Sequence, residues 1–332
     1  MSVEKFFQRR AMTWVVLGVL AVGAVSPLAF GGARLPQWLE VVLGGLMSGV
    51  LYSLVAIGLV LIFKASGVFN FAQGAMVLFA ALSLVRLMAW MPLPVALAAT
   101  VAIMVALAWL IERLVLRPLV NQEPIVLFMA TLGVTYFLDG FGQTLWGSDI
   151  YTLDVGMPKE PKILLENVFE GGILVGMEDV IAALIAAALV GVLALFFQKT
   201  GTGRALRAVA DDHQAAQSIG IPLGRIWVIV WSVAGIVALV AGIIWGSKLG
   251  VQFSLQLIAL KALPVVILGG FTSIPGAVVG GLIIGLGEKI SEVYLGPMLG
   301  GGIENWFAYV LALVFLLVRP EGLFGERHID RV

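Results

Sequence analysis

Residues 41–63 read VVLGGLMSGVLYSLVAIGLVLIF, with no Asp, Glu, Lys, Arg or His among them. A helix needs roughly 20 consecutive apolar residues to cross a ~30 Å hydrocarbon core, so this run fixes the solvent as lipid. Further apolar segments lie on both sides of it, at approximately 11–30, 74–90, 93–112, 125–146, 178–197, 226–246, 255–270, 275–290 and 305–318. The whole chain is 61% hydrophobic and 12% charged, where a soluble domain carries about half and a quarter. The runs are continuous, which favours helices over a β-barrel, whose strands alternate in pieces of about 10 residues. The expected fold is an all-α polytopic membrane helix bundle of about eight to ten transmembrane segments. A single transmembrane domain over residues 1–332 is expected.

Composition narrows the function classes. Forty glycines suit helices that approach closely in a bilayer. The absence of cysteine excludes disulfides and thiolate chemistry, and a formal net charge of zero argues against nucleic-acid binding. Lys5, Arg9 and Arg10 precede the first apolar run as they would in a signal peptide. That run is long for a signal, and Ser26-Pro27-Leu28 is a poor cleavage site, so residues 11–30 are expected to be a retained crossing.

Cationic loops set the orientation. Lys5, Arg9 and Arg10 lie at the amino terminus, Arg113 and Arg117 in one loop, and Lys199, Arg204, Arg207 and Arg225 in another. Arg319, Arg327 and Arg331 follow the last apolar run. An even number of crossings puts all of these on the cytoplasmic side, both termini included. The loop 147–177 then faces outward. It holds only Lys159 and Lys162 against Asp149, Asp154, Glu160, Glu166 and Glu170.

Two polar breaks interrupt apolar runs. The first is Lys64-Ala-Ser-Gly-Val-Phe-Asn-Phe-Ala-Gln-Gly74 and the second is Gly269-Gly-Phe-Thr-Ser-Ile-Pro-Gly276. Gly/Pro-interrupted segments in corresponding halves point to a solute site in many transporters, and they also make ordinary tight turns. Asn70, Phe71, Gln73 and Gly74 in the first break, and Gly269 and Gly270 in the second, are candidate path residues. The amides of Asn70 and Gln73 suit a zwitterionic or amide solute, or they satisfy local backbone groups. Asp139 lies deep in the fifth segment, where a charge is costly and faces the bundle or water. It is placed either to line the path or to pair with Lys261. No phosphate-binding GxxxxGK[ST] loop, ligand-spaced metal set or nucleophile–base pair is present. The chain is therefore expected to be neither an enzyme nor a cofactor carrier.

The loop 198–224 is the longest on the cationic side. Thr202 is placed to cap a helix there, alanines fill its middle, and Gly220 with Pro222 stops it. Leu206, Val209 and Ala210 recur at helical spacing, with Ile219 further on, while Arg204, Arg207, Asp211 and Asp212 fall on other faces. Such a helix rests on a membrane surface or docks in a partner's groove. Its acids and alanines disfavour anionic lipid.

Gln214-Ala-Ala-Gln-Ser-Ile-Gly220 resembles the EAA…G loop of ABC importer permeases, with Gln in place of Glu. The longer run from Gly203 to Ile221 is similar to the branched-chain amino acid permease family of the LivH type. So are the stretch from Gly45 to Gly74, Pro264-Val-Val-Ile-Leu-Gly-Gly270, Ser273–Gly281 and Val318-Arg-Pro-Glu-Gly-Leu-Phe-Gly325. The resemblance implies an inner-membrane importer with ABC-permease-like architecture. It also implies two permease subunits, the second LivM-like, together with two cytoplasmic ATPases and a periplasmic solute-binding protein. Branched-chain amino acids are the implied cargo, and relatives of this pattern also carry urea and short amides. An ion-coupled carrier or passive channel is the alternative from another class. On the importer reading, 198–224 is the ATPase-coupling loop. Arg204 and Arg207 would then meet acidic or carbonyl groups, Asp211 or Asp212 basic ones, and Ala215, Ala216 and Gly220 would allow close approach.

Overall fold

A computed structural model describes residues 34–120, 122–169, 171–211 and 213–325, together with Gly18, Gly23, Val25 and Ser26. The expected crossing 11–30 and the cationic residues at both chain ends lie almost wholly outside the described residues. In chain order the helices are α1 (Leu35–Ser66), α2 (Gln73–Met88), α3 (Leu93–Ile111), α4 (Pro124–Trp146), α5 (Met177–Lys199), α6 (Gly201–Asp211), α7 (His213–Ser218), α8 (Leu223–Leu249), α9 (Ile258–Gly269), α10 (Ile274–Leu299) and α11 (Phe307–Val318). Among the described residues six helices are long and apolar enough to cross a membrane: α1, α3 with its continuation to Leu119, α4, α5, α8 and α10. Three shorter apolar helices accompany them, at Gln73–Met88, Phe253–Gly269 and Phe307–Val318. The apolar window of α1 is 72% buried and that of α8 61%, whereas α3, α4 and α5 bury only 22–28%. The last three therefore turn most of their apolar surface outward, including Tyr136, Phe137, Leu184 and Val192, as a lipid solvent permits.

The chain forms two compact units, each assembled from separated segments. The first unit comprises Met1–Ser53, Met157–Ala187 and Lys261–Val332. Its centre is a crossing of α1 and α10 built on two small-xxx-small pairs, Gly45/Gly49 and Gly281/Gly285. A Cβ on Gly49 would sit 2.6 Å from the Gly281 carbonyl oxygen and 2.8 Å from the Leu282 Cα. A Cβ on Gly45 would sit 2.8 Å from the Leu286 Cα. Backbone thus lies on backbone, the arrangement by which helices associate when lipid removes the hydrophobic drive. The Ser53 hydroxyl joins the seam by donating to the carbonyls of Gly49 (2.8 Å) and Val278 (3.2 Å). Beyond α10, the Glu292 carboxylate accepts the backbone N–H groups of Gly302 and Glu304, both at 3.0 Å, and so orders the turn into α11.

Within the loop 147–177 the same unit holds an antiparallel hairpin, β1 (Pro161–Leu164) with β2 (Ile173–Gly176), in register Pro161↔Gly176 to Leu164↔Ile173. Ile173 and Val175 point inward and Leu174 outward. The Glu40 carboxylate accepts the Leu174 N–H at 2.6 Å, anchoring the hairpin to the start of α1. The sequence reading expected no strand here, because four residues a side is too short for a periodic signal.

The second unit comprises Leu54–Gly156 and Ala188–Leu260. Here α2 packs on α8 so closely that a Cβ on Gly242 would lie 2.9 Å from the Val77 carbonyl. The helix α4 runs alongside α2 in the same direction. The Thr131 hydroxyl donates to the Phe69 carbonyl at 3.4 Å, and Phe79 stacks on Phe141 with ring centroids 6.1 Å apart. At one end, α3 loosens into a π-turn (Glu112–Leu116) and a 3-10 turn (Arg117–Leu119). At the other end, Tyr151 and Val251 form an isolated antiparallel bridge.

Candidate functional site

The segment after α5 is a two-piece rod, α6 then α7. Its start is capped by Thr200, whose hydroxyl oxygen accepts the Gly203 N–H at 3.2 Å. Thr202, expected in that role, lies inside the first turn, because α6 begins at Gly201. Gly203, Leu206 and Val209, three residues apart, are buried, and Ala216 two turns further on is buried too, which keeps one stripe inward. A Cβ on Gly203 would overlap the Phe197 carbonyl, so α6 lies directly on the end of α5. Arg207 reinforces that contact by donating to the Phe197 carbonyl at 2.9 Å and more weakly to that of Gln198 at 3.5 Å. These are carbonyls left free by the end of a helix.

The rod ends in a Schellman turn. Gly220 has φ +87°, its N–H donates to the Gln217 carbonyl, and the Ile221 N–H donates to that of Ala216, both at 3.0 Å. Pro222 then opens α8. The outward face carries Arg204, Arg207, Asp211, Ala215 and Ile219. Ile219, expected with the apolar stripe, is 75% exposed, since the turn at Gly220 swings it off the buried side. Ala216 is the reverse: at 2% exposure its methyl packs inside the chain and offers nothing to a partner. Asp212 lies outside the described residues.

Beside the rod is a cleft of about 840 Å³, lined among others by Glu112, Arg117, Gln217, Leu223, Gly224 and Arg225. Arg117 grips the buried Glu112 through two bonds, Nε to Oε1 and Nη2 to Oε2, each 3.0 Å. Gly224 makes room for the pair: a Cβ there would fall 2.5 Å from Glu112 Oε1. The sequence reading missed this site, because Glu112 and Arg117 meet only through the π-turn, a spacing that an ordinary helix does not bring together.

The two breaks are tightly built. In the first, Asn70 Oδ1 accepts the Ala72 N–H at 3.0 Å and Gln73 Nε2 donates to the Ala234 carbonyl of α8 at 3.2 Å. Both side chains are fully buried. A Cβ on Gly74 would overlap the Gln256 carbonyl. Phe71 packs edge-on against Phe69 (4.7 Å) and Phe128 (4.9 Å). In the second break Gly269 and Gly276 touch backbone to backbone. Gly270, at φ +105°, leaves no space for a Cβ beside Gly325. The chain's final described segment docks here: Leu323 N–H donates to the Leu268 carbonyl (2.8 Å) and Phe324 N–H to that of Gly269 (3.0 Å).

Residues 41–319 match the family model described as the permease component of the branched-chain amino acid transport system. The chain belongs to this family. The LivH permease of Escherichia coli (strain K12) is 28% identical over 317 residues, covering 89% of this chain and 98% of that one. The BraD permease of Pseudomonas aeruginosa is 27% identical with the same coverage. A probable LivH of Methanocaldococcus jannaschii is 30% identical over 85% of this chain and 91% of that one. Among solved structures, PsaBC of Streptococcus pneumoniae aligns over 89% of the chain at 11% identity and a TM-score of 0.42.

Set in this permease, the residues singled out from sequence separate into distinct places. Arg204, Arg207, Asp211, Ala215 and Gly220 are brought together on the rod. Asn70, Gln73 and Gly74 are joined at the start of α2, with Phe71 at their edge. Asp139 is half-buried on α4, and its Oδ1 is enclosed without a hydrogen-bond partner among the described residues. Gly269 and Gly270 belong to the first unit. So does Lys261, whose electrostatic neighbour is Glu288, and Glu288 in turn shares a hydrogen bond with Tyr52. The charge at 261 was legible as an intramembrane ion, but Tyr52 gave no signal among its apolar neighbours.

Proposed function

We propose that this permease is the membrane-spanning subunit of an ATP-driven importer of branched-chain amino acids, and that it performs no catalysis itself. The observation that carries the reading is the rod. It is amphipathic, capped at both ends, fastened to α5 through Gly203 and Arg207 and to α8 through the Schellman turn. A force on its outward face is passed to two long apolar helices rather than absorbed in a loop. Family membership supplies the complementary argument, since the relatives are named as branched-chain amino acid transport permeases.

The proposed partners are a second, LivM-like permease, two cytoplasmic ATPases and a periplasmic binding protein. The rod is the part gripped by an ATPase. Arg204 and Asp211 lie exposed for polar contact and Ile219 for apolar contact. The end of the second unit that bears the rod carries Arg113, Arg117, Lys199, Arg204, Arg207 and Arg225, against Arg86 and Lys248 at the other. That imbalance favours a cytoplasmic rod, with the hairpin loop outside and both chain ends inside an inner membrane. Phe71 and Asp139, half-buried rather than sealed, are the proposed path residues. Asn70, Gln73 and Gly74 hold the first break in shape, and Gly269 and Gly270 the second.

The test is leucine uptake into vesicles containing the purified chain, with and without its ATPases and LivM-like partner. Uptake that needs ATP and the full set is expected. Equal uptake by the chain alone refutes the reading in favour of a carrier or channel.

A further inference from the structure

We propose that Ser83, Arg86 and Trp146 form an oxyanion site at the outer end of the seam between α2 and α4. Three buried side-chain atoms there have no hydrogen-bond partner among the described residues: Ser83 Oγ, Arg86 Nε and Trp146 Nε1. Each can donate, and the two nitrogens can only donate. Native interiors rarely leave such groups unmatched, and several together mark a place where something else supplies the acceptor.

The backbone geometry places the three on neighbouring turns of α2 and α4. Gly142 of α4 faces Leu82 and Phe79 of α2, with a Cβ placed 3.6 Å from each side chain. One turn further along the parallel helices, Gly142 is succeeded by Trp146 and Leu82 by Arg86, with Ser83 on the intervening turn. Tyr151 ties the group at its outer rim. Its hydroxyl donates to the Trp146 carbonyl at 2.5 Å, and the Arg86 guanidinium lies over its ring, 5.3 Å from the centroid. The stacking holds the cation in place while leaving its Nε–H unspent.

An arginine at the end of an apolar helix, one indole N–H and one hydroxyl match the lone pairs of a carboxylate or a phosphate. Asp139 does not supply them, since it stands about 10 Å down α4 at 1.5 Å per residue. Its own unpartnered Oδ1 offers the opposite charge further along the same seam. A zwitterion entering from the side of the 147–177 loop would therefore meet donors for its carboxylate first and an acceptor for its ammonium next. Assigning the site to the solute rests on the function proposed above. Oxyanion binding itself does not. A lipid phosphate has the same chemistry and is the other source.

The experiment uses the full chain in dodecyl maltoside micelles, which carry no phosphate, with phenylglyoxal labelling of Arg86 read by peptide mass spectrometry. In these micelles isovalerate, the leucine side chain bearing a carboxylate alone, is expected to slow labelling about tenfold, the scale of one charge-assisted hydrogen bond. Isoamylamine, its amine counterpart, is expected to have no effect. Protection by phosphatidylglycerol and not by isovalerate upholds the oxyanion site and assigns it to lipid. Equal labelling under every condition overturns the proposal. Trp146→Phe keeps an aromatic ring and removes the N–H, so it is expected to weaken protection about tenfold in a chain that still elutes as folded. Undiminished protection in that variant also overturns the site. Because no transport is measured, failure here is separable from failure of the importer reading.

Discussion

Gly220 isolates one physical effect. Its φ of +87° is in the left-handed region, yet a Cβ built there meets nothing within 4 Å. A side chain at this position therefore costs backbone strain and no steric clash. Strain for an L-residue in that region is about 1–2 kcal/mol, less for Asn, whose side chain bonds locally. It is greatest for a β-branched residue. The ceiling is set by abandoning the turn, which sacrifices the bonds from Gly220 to Gln217 and from Ile221 to Ala216 at roughly 1 kcal/mol each. Gly220→Ala should thus shift the turn by about 1–2 kcal/mol, or on the order of tenfold in population. The proposed coupling requires that turn to direct the rod into α8. Permease-stimulated ATP hydrolysis in proteoliposomes should fall in the order Gly, Asn, Ala, Val, with the melting midpoint of the chain following the same order. The order is diagnostic because Asn is larger than Ala. If Asn proves worse than Ala, bulk and not backbone governs the position. If Ala matches Gly, the turn does not set the coupling.

Other substitutions test separate contacts. Gly49→Val forces a side chain against the Gly281 carbonyl and the Leu282 backbone, which cannot rotate away. A loss of about 1–3 kcal/mol or more is expected in thermal unfolding followed by size exclusion. Gly44→Ala, with nothing within 4 Å, is the control and should be neutral or stabilising by up to about 1 kcal/mol. Asn70→Ala strands the buried Ala72 N–H and should cost about 1–3 kcal/mol in the same assay. Arg207→Gln removes the donor to the Phe197 carbonyl and should lower stability by about 1 kcal/mol while raising amide exchange at the start of α6. Arg204→Gln, on the exposed face, should leave stability unchanged.

Much of the helical frame was legible because lipid demands long apolar runs. The expected segment at 125–146 is found at Pro124–Trp146, 178–197 at Met177–Lys199 and 226–246 at Leu223–Leu249. Errors concentrate where polarity does not mark the boundary. The predicted end near 290 extends to Leu299, since Ser291, Glu292 and Tyr294 are polar on paper yet remain helical. The rod was visible through its alanines and its Gly220–Pro222 stop. Which alanine faces inward was not, because Ala215 and Ala216 are chemically identical and only the phase of α7 separates them. Polar residues at the breaks suggested a solute path, but amide side chains look the same in sequence whether they bind cargo or tie down a helix start. The Gly45/Gly49 and Gly281/Gly285 seam was unread as a pair, since far-apart positions reveal their meeting only in three dimensions. Arg86 stands near the end of an apolar segment. Its orphaned Nε–H is a property of the α2–α4 seam and not of the residue.

The docking of Leu323 and Phe324 onto the ends of Leu268 and Gly269 has a consequence for synthesis. During translation, the carbonyls at the close of α9 wait for a segment that leaves the ribosome much later. The second break therefore stays unfinished until nearly all the other described helices have been made. A stop codon shortly before Gly322 would leave a distant helix terminus raw, and quality-control proteases would encounter the defect far upstream of the truncation itself.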